Sequence, residues 1–532
     1  MSFGWNRAVR RLGGLWQRSD VILHGVRIDV LVPRLLPRNT LLPRLLPREL
    51  VTGGRSLQCS AFQGWSPGTR IDSLIPGRVQ YIKTKRSVRY FSCMDSTETL
   101  GSIKESLMRV PTVLQILISA LVLVVLSTSG FLRADDSFDA EPILYSKTNP
   151  QNRVSIIRDR IKSGELNLNY STKYGYLPAL LDALEVPVAS QMLVFSKTSL
   201  QMRRISPRTP RAIYFNDDVY VGFCQSGDLI EISAVDPQLG TVFYTLDQSQ
   251  TEQPMLIRRT GSCLVCHSSS RMEGVPGHVI RSLYVDSSGQ PLLSGADRLV
   301  DQTTPIEQRW GGWYVTGTHG SQKHLGNLVM RSRNVVEPVD NAEGQNVVDL
   351  KYRINPDRYL STHSDIVALM VLEHQTLVQN RMTKANFDTR QALADSNVSS
   401  EYVTQRIRHT GDRLVEAILM VEEATIKEPI QGTSGFAEQF AKSGPRDKMG
   451  RSLRDLDLTT RMFKYPCSYL IYSDAFDKLP QQSKDYVLER LWDVLSGKDE
   501  SEKFAHVSST DRQAILEILR DTKSNLPSYW LN

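Results

Sequence analysis

Hydrophobic and polar positions follow a different pattern in each of four stretches of the chain. In residues 1–109, basic residues and prolines interrupt every long apolar run, and residues 31–50 come close to repeating Leu-Leu-Pro-Arg. Proline at that spacing excludes a helix and a central strand. We therefore expect a basic N-terminal extension that is disordered, or that is not normally made because translation starts at Met94 or Met108 rather than at Met1.

Residues 110–132 are the one stretch without a charged side chain that is long enough to cross a bilayer. Lys104 and Arg109 precede this stretch, and Asp135 follows it. Because positively charged flanks stay in the cytoplasm, the body that follows would lie outside. We expect either a transmembrane anchor in the cell membrane, with the body facing the periplasm, or a signal peptide whose cleavage releases the body into the periplasm.

Short apolar runs separated by turn residues are typical of residues 135–355. The sequence Asn216-Asp217-Asp218 separates two of these runs, and Asp-Pro-Gln-Leu-Gly ends a third. Consecutive short strands with tight turns indicate an antiparallel meander. The predicted strands are Ala212–Phe215, Val219–Cys224, Leu229–Val235 and Thr241–Leu246.

Helical periodicity dominates residues 356–532. Helix-start and helix-end signals predict four helices in this part of the chain. They run from Thr362 or Ser364 to about Met382, from Ser400 to about Glu423, from Pro480 to Gly497, and from Thr510 to about Thr522. The predicted fold class is therefore α+β: an N-terminal tail, one membrane or signal helix, a β-rich segment and a helical C-terminal half.

The composition is that of a globular protein. The chain has 532 residues, 40% hydrophobic and 23% charged, which is enough for two or three domains. The first 110 residues hold 18 Lys and Arg against 7 Asp and Glu, whereas the remainder holds 46 against 50. The body is thus mildly acidic and has no basic stripe of the kind that binds nucleic acid. Six cysteines are too few for a disulfide scaffold.

Cys263, Cys266 and His267 form the sequence C-x-x-C-H, the attachment signature of a c-type haem. Two thiols three residues apart share one face of a helical turn, and they can add to the two vinyl groups of one porphyrin. The adjacent imidazole can bind the iron. We predict one covalent haem c on Cys263 and Cys266, with His267 as the metal ligand. Haem is attached to this motif outside the bacterial cytoplasm, in agreement with the predicted export.

Two other chemistries use a pair of cysteines at this spacing. A structural zinc site needs a second pair of ligands, and the chain has no second C-x-x-C. A thiol–disulfide centre lies between a buried strand and a helix. Residues 255–260 allow a short strand, but Ser268-Ser269-Ser270 form a poor helix interior. Haem is therefore the favoured cofactor, and the other two chemistries stay open.

The group on the other side of the iron decides between electron transfer and ligand chemistry. A Met or a second His closes the iron, whereas an open position admits peroxide or another small ligand. Glycines between tryptophans in Trp310-Gly311-Gly312-Trp313 suit a wall beside a flat cofactor or a turn with core aromatics. The side chains that can supply the sixth ligand are Met272, His278, His319, His324, Met370 and His374.

Three further segments resemble exported bacterial proteins that carry a cytochrome c domain and are largely uncharacterised. These segments are residues 206–218, Trp310–Trp313 and residues 465–470, and the resemblance covers roughly residues 140–532. It implies covalent haem on the two cysteines of the motif and ligation by its histidine, and it implies no substrate. Small cytochrome c domains place the motif near the start of a helical chain, whereas strands precede it here.

The favoured function is that of a membrane-associated, periplasm-facing monohaem cytochrome. It would pass single electrons between redox partner proteins or small-molecule donors and acceptors. The body is larger than a carrier needs, so a peroxidase-like haem oxidoreductase is an alternative, with His319 or Arg258 beside an open iron. A haem-free thiol–disulfide protein is the third hypothesis. The sequence does not decide whether the chain is an enzyme.

Overall fold

The computed structural model describes residues 16–23, 26–33, 138–292, 297–332, 335 and 338–531. The chain divides into two units, Met1–Ile118 and Ser119–Asn532. In the first unit, β1 (Trp16–Leu23) pairs antiparallel with β2 (Val26–Pro33). These two strands are the only described part of the basic N-terminal extension, so its predicted disorder, or its absence from the natural product, stays a prediction.

A six-stranded antiparallel sheet forms the centre of the second unit, with strand order β3-β4-β5-β6-β7-β8. The predicted strands that correspond to β4 to β7 are each correct to within one residue at either end. The six strands are Met192–Val194, Arg211–Phe215, Val219–Phe223, Leu229–Asp236, Gly240–Asp247 and Leu256–Arg259.

Both faces of this sheet are covered over most of their area. Helices α1 (Arg153–Lys162) and α2 (Leu177–Ala183) contribute to a hydrophobic cluster with one face. The opposite face packs against α4 (Ile366–Ala394), and α4 passes over β7. The first face includes Leu193, Tyr214, Val221, Ile232 and Tyr244, and the second includes Val194, Phe215, Tyr220 and Val235.

The remaining elements are a short turn of helix, a two-stranded sheet and the C-terminal helices. Asp365 caps α4 by accepting hydrogen bonds from two backbone N–H groups of its first turn. This helix extends twelve residues beyond the predicted end at Met382, because no glycine or proline interrupts it. The elements are α3 (Leu264–His267), β9 (Arg281–Leu283), β10 (Asp297–Leu299), α5 (Ser400–Ile418), α6 (Phe436–Lys442), α7 (Asp474–Asp477), α8 (Gln481–Leu495) and α9 (Ser509–Thr522).

The predicted membrane or signal helix, residues 110–132, lies outside the described residues. Among the helices that the structure describes, none is both long and apolar enough to cross a membrane. The longest, α4, carries Glu373, Lys384 and Asp388 along its length. The predicted fold class is therefore corrected: the described chain is a mixture of helices and sheets, with no membrane-spanning helix among its described residues.

Candidate haem site

The C-x-x-C-H motif follows the last strand of the sheet and forms the single helical turn α3. The backbone N–H of His267 donates to the carbonyl of Cys263 at 3.0 Å, which closes this turn. Leu264 is buried in the core, whereas Val265 is 79% exposed. Positions i, i+3 and i+4 share a helical face, so Cys263, Cys266 and His267 lie together at the protein surface.

The two thiols of the motif are free, and the structure gives them different environments. Cys263 is half-buried and Cys266 is exposed. Burial raises the pKa of the Cys263 thiol, and the nearby Glu231 carboxylate raises it further. A reactive dithiol needs a lowered thiol pKa, because the thiolate is the nucleophile. The environment of Cys263 therefore argues against the thiol–disulfide hypothesis.

The imidazole of His267 is oriented by one hydrogen bond and one aromatic contact. Its Nδ1 lies 3.0 Å from the carbonyl oxygen of Gly277, and its ring centroid lies 4.8 Å from that of Phe243. A carbonyl only accepts, so Nδ1 carries the proton and Nε2 keeps its lone pair. Burial lowers the pKa of His267. The neutral ring with a free Nε2 is the form that binds a metal.

Helix α4 anchors the loop that holds this imidazole. Gly277 bonds to His267 twice, since its N–H also donates to the His267 carbonyl at 2.8 Å. On α4, Asn380 accepts from the N–H of His278 at 3.0 Å and donates to its carbonyl at 2.7 Å. The orientation of the candidate ligand is therefore fixed by a backbone loop that a long helix holds in place.

Sequence reasoning missed the three residues that orient the ligand. Two weak signals mark them: Pro276-Gly277 is a turn dipeptide ten residues after His267, and Asn380 is a poor helix former inside a long helix. Phe243 carries no local signal, because only the pairing of strands brings it to the motif.

Two of the predicted sixth ligands, His319 and His324, already use their lone pairs. His319 Nε2 accepts from the backbone N–H of Asn346, and His324 Nδ1 accepts from that of Gly326, both at 3.0 Å. In a neutral imidazole the other nitrogen then carries the proton. The centroids of these two buried rings lie 4.6 Å apart, so the rings pack against each other within the loops. In this arrangement neither ring can bind iron.

His374 and Met370 lie in the core on α4. The Nε2 of His374 lies 2.7 Å from Ser468 Oγ, and its Nδ1 is hydrogen-bonded to Gln302. Met370 is 3% exposed. These two residues therefore belong to the packed core around α4 and not to a cofactor site.

Met272 and His278 lie near His267, and both are buried. His278 contacts Ser233 Oγ through Nε2 at 2.9 Å, and its ring packs on Tyr220 with centroids 4.0 Å apart. Met272 is buried against Gly277, the residue that is bonded to Nδ1. Of the six predicted sixth ligands, the four histidines are thus held by hydrogen bonds, and the two methionines are buried.

Two other predicted neighbours of the cofactor have structural roles. Arg258 donates to the carbonyls of Thr148 and Tyr145 at 2.8 and 2.5 Å, on the sheet face opposite to Phe243. It is therefore not a distal group. In the glycine–tryptophan block, Trp310 is 1% exposed and its Nε1 donates to buried Glu373 at 2.7 Å. The block is a turn with core aromatics.

The donor set of the motif fits a covalent haem. Two free thiols and a neutral imidazole with an available Nε2 lie on one turn. In the described part of the chain, no three His, Cys, Asp or Glu side chains converge to hold a bare metal ion. A haem iron does not need such a cluster, because the porphyrin itself supplies four nitrogen ligands.

Comparison of the chain with protein-family models, with curated proteins and with solved structures finds no match in any of the three. The resemblance to exported cytochrome c-domain proteins therefore stays a prediction. The functional argument consequently depends on the geometry of the motif and its surroundings.

Proposed function

We propose that the chain is a monohaem c-type cytochrome that transfers single electrons outside the bacterial cytoplasm. The supporting observation is the hydrogen bond from His267 Nδ1 to Gly277, which leaves a neutral Nε2 beside two free thiols. When bound, haem supplies an iron that cycles between Fe(II) and Fe(III). Redox partner proteins or small molecules would provide and accept the electron.

Each residue of the site has a definite task in this function. Cys263 and Cys266 would each add S–H across one vinyl group, with sulfur on one carbon and hydrogen on the other, and the resulting thioether bonds would keep the cofactor on a protein outside the cell. His267 would offer its Nε2 lone pair to the iron, and the Gly277 carbonyl holds the proton on Nδ1. A hydrogen-bonded histidine is a more basic ligand and keeps one ring orientation, and Phe243 limits its rotation further.

The position of the motif suits electron exchange with a partner. Cys266 is exposed, and Val265 between the two cysteines is 79% exposed. A cofactor attached there would be accessible to a donor or acceptor at the protein surface. The opposite side of the motif is anchored to the core by Leu264.

The test is to export the full chain in a host that matures c-type cytochromes. The pigment of the purified protein should survive acid–acetone extraction and give a c-type pyridine haemochrome. Cys263→Ala with Cys266→Ala should abolish the pigment, whereas Cys467→Ala, at a buried free thiol in the hydrophobic cluster around α4, should keep it. Covalent haem on the double variant, or none on the wild type, would contradict the proposal.

A second function is supported by the hydrogen bonds that hold all four histidines among the predicted sixth ligands. An iron with an open sixth position binds small molecules, as in haem oxidoreductases. Rapid binding of CO by the reduced protein, or of cyanide by the oxidised protein, would favour this enzyme over the carrier. Refusal of both ligands by haem-loaded protein would favour the carrier.

A further inference from the structure

One end of the sheet is charged on the face that Phe243 presents to His267. Side chains alternate between faces along a strand, and the register shows which residues share this face. Glu231 pairs with Thr245, and Phe243 pairs with Arg259. We call this patch the charged end, and its residues are Arg211, Gly222, Glu231, Thr245, Ile257 and Arg259.

Arg211 lies flat across the sheet at the charged end. A β-carbon on Gly222 would be 2.2 Å from the Nη2 of Arg211, so the guanidinium occupies the space of a missing side chain. Its Nη2 pairs with Glu231 Oε2 at 2.5 Å. Its Nε is buried and has no hydrogen-bond partner among the described residues. An unpaired buried N–H is costly, so an added acceptor would stabilise this nitrogen.

Arg259 leaves part of its guanidinium available. Its Nε donates to Thr245 Oγ1 at 2.9 Å, and in the described part of the chain its two terminal nitrogens have no hydrogen-bond partner. Ile257, two residues earlier on the same face, is 41% exposed. The charged end therefore combines unpaired cationic donors with an exposed apolar side chain.

The charged end lies beside the motif. Arg259 ends β8, four residues before Cys263. Arg259 is paired directly with Phe243, whose ring centroid lies 4.8 Å from that of His267. Thr245, which accepts from Arg259, is paired with Glu231. Glu231 in turn forms the ion pair with Arg211. Both guanidinium groups therefore lie on the sheet face that holds the motif histidine.

We propose that Arg259 and Arg211 bind the propionate carboxylates of the haem, with Ile257 against the porphyrin ring. This inference rests on the proposed function. Arginine offers paired N–H donors that match a carboxylate, and haem carries two carboxylates beside a large apolar ring. Glu231 neutralises one of the two cations, which leaves a net positive charge for an anionic group.

The experiment compares three variants of the haem-loaded full chain. Arg259→Gln removes the charge, Arg259→Lys keeps it, and Arg203→Gln removes an exposed arginine elsewhere as a matched control. Infrared titration of the haem carboxyl groups measures their pKa. A neighbouring cation lowers a carboxyl pKa by about 1–3 units, so Arg259→Gln should raise one haem carboxyl pKa by about that amount. In Arg259→Lys this haem carboxyl pKa should stay near its wild-type value, and in Arg203→Gln it should equal the wild-type value.

The possible failures give different results. Wild-type protein without covalent haem would overturn the proposed function and this inference together. Haem-loaded Arg259→Gln that titrates like Arg203→Gln would overturn the inference alone. Acetate added to the loaded protein tests for a free carboxylate as the occupant. A shift of the Soret band by acetate in wild type but not in Arg259→Gln would assign the charged end to a free anion and overturn the inference.

Discussion

Replacement of Asn380 by alanine tests whether α4 holds the ligand-orienting loop. Both polar groups of this side chain bond to the backbone of one residue, with distances of 3.0 Å to the N–H and 2.7 Å to the carbonyl of His278. The preceding residue, Gly277, accepts the hydrogen bond from His267. Asn380→Ala therefore removes the anchor of the residue that orients the imidazole.

The expected loss of stability follows from these two bonds. Each contributes about 0.5–1.5 kcal/mol, so their removal lowers the free energy of unfolding by about 1–3 kcal/mol. Asn380 is half-buried, so water can reach part of the vacated space and the full desolvation penalty does not apply. Alanine is a better helix former by up to about 0.7 kcal/mol. The net decrease should be about 1–2 kcal/mol.

Urea unfolding of the full chain, followed by tryptophan fluorescence, measures this decrease. Asn397→Ala is the matched control, because Asn397 is exposed in the loop after α4. Its unfolding free energy should stay within about 0.5 kcal/mol of wild type. Asn380→Asp keeps the hydrogen-bond acceptor and loses the donor. Its free energy of unfolding should therefore lie between those of Asn380→Ala and wild type. An unchanged unfolding free energy in Asn380→Ala would refute the reasoning.

Two further predictions concern buried charge. Arg309 pairs with Glu373 at 2.8 Å, both nearly inaccessible, so Arg309→Met should lower the unfolding free energy by about 3–5 kcal/mol. Thermal unfolding checks this, and adding Glu373→Gln should recover part of the loss. Burial lowers the pKa of His278 to about 3, whereas an unfolded histidine titrates near pH 6.5. Acid therefore destabilises the fold below about pH 6.5, by about 1.4 kcal/mol per pH unit. Urea titrations at several pH values measure this dependence. The free energy of unfolding should vary less with pH in His278→Asn, and it should vary as in wild type in His409→Asn, because His409 is exposed.

Local patterns were sufficient for four strands of the central sheet. Strands β4 to β7 alternate or run apolar between strong turn residues, so each was predictable to within one residue. The first residue of a helix is harder to predict from capping residues. The last helix was predicted to begin at Thr510, but Ser508 caps it in a reciprocal pair with Asp511. Both serine and threonine fit the capping pattern, so the sequence leaves the start uncertain by two residues.

The parts of the site that depend on distant contacts were not predictable. Asn380 and His278 are 102 residues apart, and no local pattern joins them. The same reason removes His319 as an iron ligand, because the N–H that occupies its lone pair comes from Asn346 on another loop. Spacing identifies which side chains have the right chemistry. Tertiary structure decides whether their lone pairs are free.

The strand before the motif also bears on how a cofactor could be joined to this chain. β8 has four residues and lies at the edge of the sheet, where it pairs with β7. An edge strand can separate by breaking a single ladder, so such opening needs less free energy than global unfolding. Fraying of β8 would loosen the segment that leads into the two cysteines while the other five strands stay paired, and the Gly277 loop could keep its hydrogen bonds to His267. The motif thus follows a strand whose opening would give an assembly enzyme access to the thiols without unfolding the domain.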